Sequence, residues 1–214
     1  PDAPKRYRSQ HLRQGGNTVK VAALVIAADL GSGFTGSKYL VPFRGASLIE
    51  RVVAEAHDWP VDSVIVVLGP DAESILDTAD LGGATVVIDL EWEEGEAAAL
   101  RVGIDTLYRL DEYDTVVLAY ADQPGSSAAE VGRLLEHHRA GHRPAVVPKY
   151  RYAAGHPVVI GETLWPRLIS MEGQAGFDQI LQAHPDWVDE VWFDRLPNPR
   201  VRTPEDLEDI LKVR

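Results

Sequence analysis

Lys38 and Asp122 are the residues whose types and surroundings point first to chemistry. Lys38 closes a stretch in which Gly31, Ser32, Gly33 and Gly36 follow Ala27, Ala28 and Asp29. Glycine leaves backbone N–H groups open to a close ligand and lysine adds a point charge, so the stretch suits the phosphates of a nucleotide. It is neither G-x-x-x-x-G-K-[ST] nor G-x-G-x-x-G, and an ordinary glycine-rich turn has the same composition. Asp122 ends an apolar run within Ala121-Asp122-Gln123-Pro124. A carboxylate facing phosphate there suits Mg2+, which takes one or two carboxylates with phosphate oxygens. An aspartate that only caps backbone N–H groups is the structural alternative.

Three other places qualify. Gly155-His156-Pro157 holds an imidazole in a constrained turn, placed to position a substrate or simply to fill the core. Gly95 opens a helix after Glu91, Trp92, Glu93 and Glu94, and a glycine there lets a base or ribose approach the backbone. The acids around it read as a helix N-terminus satisfied by carboxylates. His137, His138 and His142 have no carboxylate at ligand spacing and read as solvated.

These residues need a scaffold, and the periodicity supplies one. Apolar β-branched runs at 21–28, 63–68, 84–88, 115–120, 144–148, 158–160 and 190–193 read as strands. Amphipathic segments at 47–57, 71–79, 93–108, 127–139 and 203–211 read as helices, with Asp71 as an N-cap. The last opens on Thr203-Pro204-Glu205-Asp206, an N-cap, a proline at N1 and acids in the first turn. Alternation of this kind predicts an α/β fold of right-handed βαβ units, with a mostly parallel sheet between two helical layers. Ligands in such sheets sit beyond the carboxyl ends of the strands, where 29–38, 89–95 and 122–124 should converge.

The chain has 214 residues, 45% hydrophobic and 25% charged, which suits one packed domain. The net charge of −12 speaks against a nucleic-acid surface. Residues 1–20 carry five cations against Asp2 and read as a flexible basic extension, leaving 21–214 as the domain. There is no cysteine, so disulfides and thiolate chemistry are excluded and a cytoplasmic location is the expectation. No apolar run reaches membrane-spanning length.

In order along 21–211, the motifs resemble the MobA-like nucleotidyltransferases, the family of the molybdenum cofactor cytidylyl- and guanylyltransferases. The resemblance is carried by Ile26 through Lys38, by 45–52, by Asp89-Leu90-Glu91-Trp92-Glu93-Glu94-Gly95, and by the helix that follows. Asp122-Gln123-Pro124, Gly155-His156-Pro157 and Thr203-Pro204-Glu205-Asp206-Leu207 complete it. The family implies a Rossmann-like, single-domain, three-layer α/β/α fold of the nucleotide-diphospho-sugar transferase type. It implies transfer of CMP, with GMP the alternative, from an NTP to a phosphorylated acceptor, foremost molybdopterin, with release of pyrophosphate. By resemblance, Ala27, Ala28, Asp29, Gly31, Ser32, Gly33, Lys38 and Gly95 bind the nucleotide, and Lys38 and Asp122 are catalytic. Asp122 holds Mg2+, and Gly155 and His156 meet the acceptor. CTP or GTP is the co-substrate and a molybdoenzyme is a partner; neither nucleic acid nor membrane is.

The departures are specific. Asp29 replaces a family glycine, Gly33 an arginine, Gln174 an aspartate and Arg202 an aspartate. Without a cation at 33, Arg44, Lys149 or Arg151 must reach the α-phosphate, while Arg200 or Arg202 matches the basic residue of methylerythritol phosphate cytidylyltransferases. Asp29 in the metal shell is one compensation. The alternative functions are a nucleotide- or pterin-binding homologue without turnover and a transferase for another phosphorylated metabolite.

Overall fold

The computed structural model describes residues 19–151, 153–171 and 176–212. Gln174 and nearly all of the basic N-terminal stretch lie outside them.

β1 (Val21–Ala27) is buried along its whole length, as a continuous apolar run in a central strand should be. The chain continues through the short hairpin β2 (Pro42–Phe43) and β3 (Ala46–Ser47) into α1 (Leu48–His57). A capping box starts α1: the Ser47 side chain accepts from the Glu50 N–H, and the Glu50 carboxylate accepts from the Ser47 N–H at 2.7 Å. Then come β4 (Ser63–Leu68), α2 (Ala72–Thr78), β5 (Thr85–Ile88), α3 (Glu96–Leu110), β6 (Thr115–Tyr120) and α4 (Ala128–Ala140). β7 (Ala145–Tyr150), β8 (Ala153–Ala154), β9 (Val158–Gly161), α5 (Trp165–Ser170), α6 (Phe177–Ala183), β10 (Val188–Phe193) and α7 (Pro204–Lys212) complete the order.

The main sheet runs β10-β7-β9-β6-β1-β4-β5, with β8 added to β7. β1 pairs in parallel with both β4 and β6, so Ile26 stands opposite Val67 on one side and Tyr120 on the other. The expected mostly parallel α/β sheet is therefore present. The exceptions are β9, which lies antiparallel between β6 and β7, and the two-residue β8, which pairs antiparallel with β7. One apolar layer joins the sheet to α1, α2 and α4, and a second joins it to α3, α5 and α6. α3 presses closely on β1 through Gly103, where an added Cβ would stand 2.8 Å from the Leu24 methyls.

Local expectations met three differences. The segment from 93 starts as a 3-10 turn at Trp92–Glu94, and α3 proper begins only after Gly95 at φ +89°. Asp71 occupies the N-cap position of α2 without making a side-chain cap bond. His138 is half-buried rather than solvated, and burial lowers its pKa.

Candidate active site

β1 and β6 end side by side and deliver the glycine-rich loop and Asp122 to one edge of the sheet. Lys38 opens the 3-10 turn Lys38–Leu40 and is fully buried beneath that loop. Gly31 permits the arrangement: at φ +68°, a Cβ there would stand 2.7 Å from Lys38 Cδ. Lys38 Nζ lies 2.7 Å from Asp122 Oδ2 and also pairs with Asp29. Asp29 folds back on its own loop, accepting the Gly31 N–H at 2.7 Å. Burial alone would raise the Asp29 pKa, but Lys38 and the Gly31 N–H outweigh it and hold the carboxyl below its ordinary value.

The second cation is Arg200, from the segment before α7. It donates Nε to Asp122 Oδ1 at 2.9 Å and Nη2 to Oδ2 at 3.1 Å, the bidentate fork that guanidinium geometry favours. Nη1 donates to Glu96 at 3.0 Å, Nη2 lies 3.7 Å from Asp29, and the guanidinium stacks 4.0 Å above the Tyr120 ring. Burial opposes the charge on Arg200, yet Asp122 and Glu96 drive its pKa far up. Backbone contacts fix the segment in place. The Val201 N–H donates to the Asp122 carbonyl at 2.7 Å, and the Ser32 N–H to the Arg202 carbonyl at 3.0 Å. Gln123 donates to the Asn198 carbonyl at 2.6 Å.

His156 forms the third side. It is buried edge-on to Tyr120, with ring centroids 4.6 Å apart, and burial followed by the Arg200 charge pushes its pKa down to about 4. Its Nε2 is buried without a hydrogen bond, 3.5 Å from Asp178 Oδ1. Burial raises the Asp178 pKa, opposed by Arg200 and Arg202. Gly155 sits tight against Tyr150, where a Cβ would meet the ring at 2.9 Å. Gly95 reaches the site through its neighbour Glu96. Asp89, at the end of β5, accepts the Glu91 N–H at 2.9 Å and keeps Oδ2 buried without a partner.

Asp122 was the expected ligand of Mg2+, and its surroundings differ from a resident metal site. Both its oxygens are held by Lys38 and Arg200, and among the described residues no group of three or more histidines and acids is placed to hold a metal. The donor set does not fit a resident divalent ion in this arrangement.

The structure thus brings together Ala27, Ala28, Asp29, Gly31, Ser32, Gly33, Lys38 and Asp122, with Gly95 and His156 on the flanks. The cation that faces the loop is Arg200. Lys149 pairs with Glu190 at 3.1 Å, Arg151 pairs with the exposed Asp194, and Arg44 lies over the Phe43 ring. Tyr120 and Asp178 had no sequence signal as site residues, and Glu96 was read with the acids around Gly95 as serving the helix N-terminus. Arg200 is 78 positions from Asp122; the T-P-E-D motif beside it and its likeness to the basic residue of the methylerythritol phosphate cytidylyltransferases were the signals of its place.

A mostly parallel sheet that ends in a glycine loop over a buried lysine, with an aspartate just past the adjacent strand, defines an α/β protein with its candidate ligand site at the carboxyl edge of the sheet. The chain belongs to the MobA-like NTP transferase domain family, whose model matches residues 23–188. It is 29% identical over 180 residues to nicotine blue oxidoreductase from Paenarthrobacter nicotinovorans, covering 79% of this chain and 85% of that protein. Rv0371c from Mycobacterium tuberculosis H37Rv superposes with a TM-score of 0.80 at 25% identity, over 92% of this chain and all of that one, and has also been solved with manganese. CMP:2-keto-3-deoxy-manno-octonic acid synthetase complexed with CTP shares the fold (TM-score 0.72, 14% identity, 91% and 98% covered). Membership of the family supports a nucleotidyltransferase that takes an NTP. No helix among the described residues is long and apolar enough to cross a membrane.

Proposed function

We propose that the protein transfers a nucleoside monophosphate from an NTP to a small second substrate, pyrophosphate leaving. The observation that carries this reading is the convergence of Lys38 and Arg200 on Asp122 directly beneath the glycine loop. In-line attack at the α-phosphate needs charge neutralisation and positioning more than acid–base chemistry. Loop N–H groups between Asp29 and Gly36 receive the triphosphate, and Lys38 and Arg200 meet its charge. Asp122 orients both cations, Gly95 borders the base, and Gly155 with the neutral His156 faces the acceptor. Arg200 supplies the cation that Gly33 lacks. A divalent ion enters with the nucleotide, as the Mg2+ or Mn2+ complex that is the substrate. CMP transfer to molybdopterin, a molybdoenzyme partner and a cytoplasmic location are the finer readings. CTP and GTP titrations with and without Mg2+, followed by pyrophosphate release with molybdopterin, test them. Binding of neither nucleotide overturns the proposal; binding without turnover leaves a non-catalytic nucleotide-binding homologue.

One observation favours a second reading, suggested by the oxidoreductase among the relatives. Three carboxylates, Asp29, Glu96 and Asp122, face the two cations, so the site carries an excess negative charge before any ligand arrives. A dinucleotide's pyrophosphate brings less charge than a triphosphate and binds to backbone N–H groups at such strand ends. With no cysteine in the chain, a thiol–disulfide couple is not among the means of redox chemistry open to it. NADH, NADPH and FAD in the same titration separate the two readings.

A further inference from the structure

A cavity of about 770 Å³ opens on the α6 side of the sheet, over β7 and β10. That is the size of a small-molecule site, and its far end reaches Gly155 and Asp178. We infer that this cavity takes the body of the second substrate, that this body is apolar and either uncharged or cationic, and that anionic bodies are turned away.

The lining decides the class. Val147, Val158, Leu181, Pro185 and Val188 give an apolar floor and walls suited to a flat ring or a short aliphatic body. The charged residues at its rim are already matched. Arg143 lies 3.3 Å from Asp189 Oδ1 and donates to the carbonyls of Pro185 and Val188, while Lys149 pairs with Glu190 at 3.1 Å. An anion would have to take these cations from their carboxylates. Asp178, by contrast, pairs only with His156 among the ion pairs of the described residues, and His156 is neutral. The negative side of the cavity is the one open to a ligand. Behind that end the buried Nε2 of His156 lacks a hydrogen bond and lies 3.5 Å from Asp178 Oδ1. A reactive anionic end, if the molecule has one, points to Arg200, whose field reaches Asp178.

Calling the occupant a second substrate rests on the transferase reading; the cavity's charge preference does not. Benzamidine, benzamide and phenyl phosphate form a series of similar size that differs in charge, and saturation-transfer NMR on the full chain reads their binding. Benzamidine and benzamide should bind, with phenyl phosphate the weakest. Asp178→Asn should weaken benzamidine roughly two- to fivefold, the range of a half-exposed ion pair, without changing benzamide. Glu190→Gln frees Lys149 and should strengthen phenyl phosphate. Leu181→Trp should block all three. Because Leu181 packs in the core, the exposed Glu190→Gln variant keeps the test sound if the tryptophan variant fails to fold. Preference for phenyl phosphate in the unaltered protein, no change on Glu190→Gln, or no binding by any probe overturns the inference. Loss of CTP and GTP binding bears on the transferase reading alone.

Discussion

Replacing Asp29 with asparagine should tighten triphosphate binding. In the protein as it stands, the Asp29 carboxylate occupies its own loop, accepting the Gly31 N–H and pairing with Lys38, the two groups an incoming phosphate needs. Asparagine keeps an oxygen for Gly31 and removes only the charge. A unit charge about 6 Å from a phosphate at an effective dielectric near 20 is worth roughly 3 kcal/mol. The Asp29 side chain is 38% exposed, and solvent screening reduces the gain to about 1.5 kcal/mol, or roughly tenfold in Kd. Calorimetric titration of CTP and GTP into both proteins, with and without Mg2+, measures it. Equal affinities would show that Asp29 leaves the loop without cost when the nucleotide arrives. Weaker binding confined to the Mg2+ experiment would refute the reasoning outright and make Asp29 a ligand of the nucleotide-borne metal.

Lys38→Met strands Asp122 with one cation, and breaking a buried pair costs about 3–5 kcal/mol, a Tm drop of about 6–20 °C by thermal melting. Paired with Asp122→Asn, the losses should be strongly non-additive. His156 is held neutral with its pKa pushed down to about 4, against about 6.5 unfolded. Its contribution is therefore complete above about pH 6.5 and is withdrawn as pH falls towards 4, at about 1.4 kcal/mol per pH unit. The Tm gap between the unaltered protein and His156→Gln should shrink over that window; parallel curves would contradict it. Gly31→Ala collides with Lys38 at a positive φ, whereas Gly36→Ala meets open space. Both lower Tm through backbone strain, by about 2–8 °C for 1–2 kcal/mol, but only Gly31→Ala should also weaken nucleotide binding in titration.

The scaffold was legible because each central strand is a buried apolar run and the longer helices carry apolar faces, with capping boxes opening α1 and α4. Val21 to Ala27 and Thr115 to Tyr120 can be read locally, and so can the polar residues that follow them. What could not be read is order in space. β9 is four residues long and reverses direction between two longer strands, a choice made by packing rather than by its own sequence. Lys38 was legible as a cation near glycines, but not its burial, which depends on Gly31 lying over it. Arg200 was visible only by resemblance, as one of two basic residues near a closing motif, with nothing to choose it over Arg202. Its ties to Asp122, Glu96, Asp29 and the Tyr120 ring are all long-range, and an arginine between prolines and a helix start ordinarily faces solvent.

The segment from Asn198 to Thr203 joins the loop, Asp122 and Gln123 through one side chain and several backbone bonds. During synthesis, β1, β4, β5 and β6 emerge and can pair long before that segment exists. Until it arrives, the sheet edge has Lys38 as its cation and three nearby carboxylates, and the glycine loop lacks the Ser32 N–H bond to the Arg202 carbonyl. The candidate site is thus finished only after that segment has been made, and ligand affinity doubles as a report that the chain has folded at least as far as Thr203.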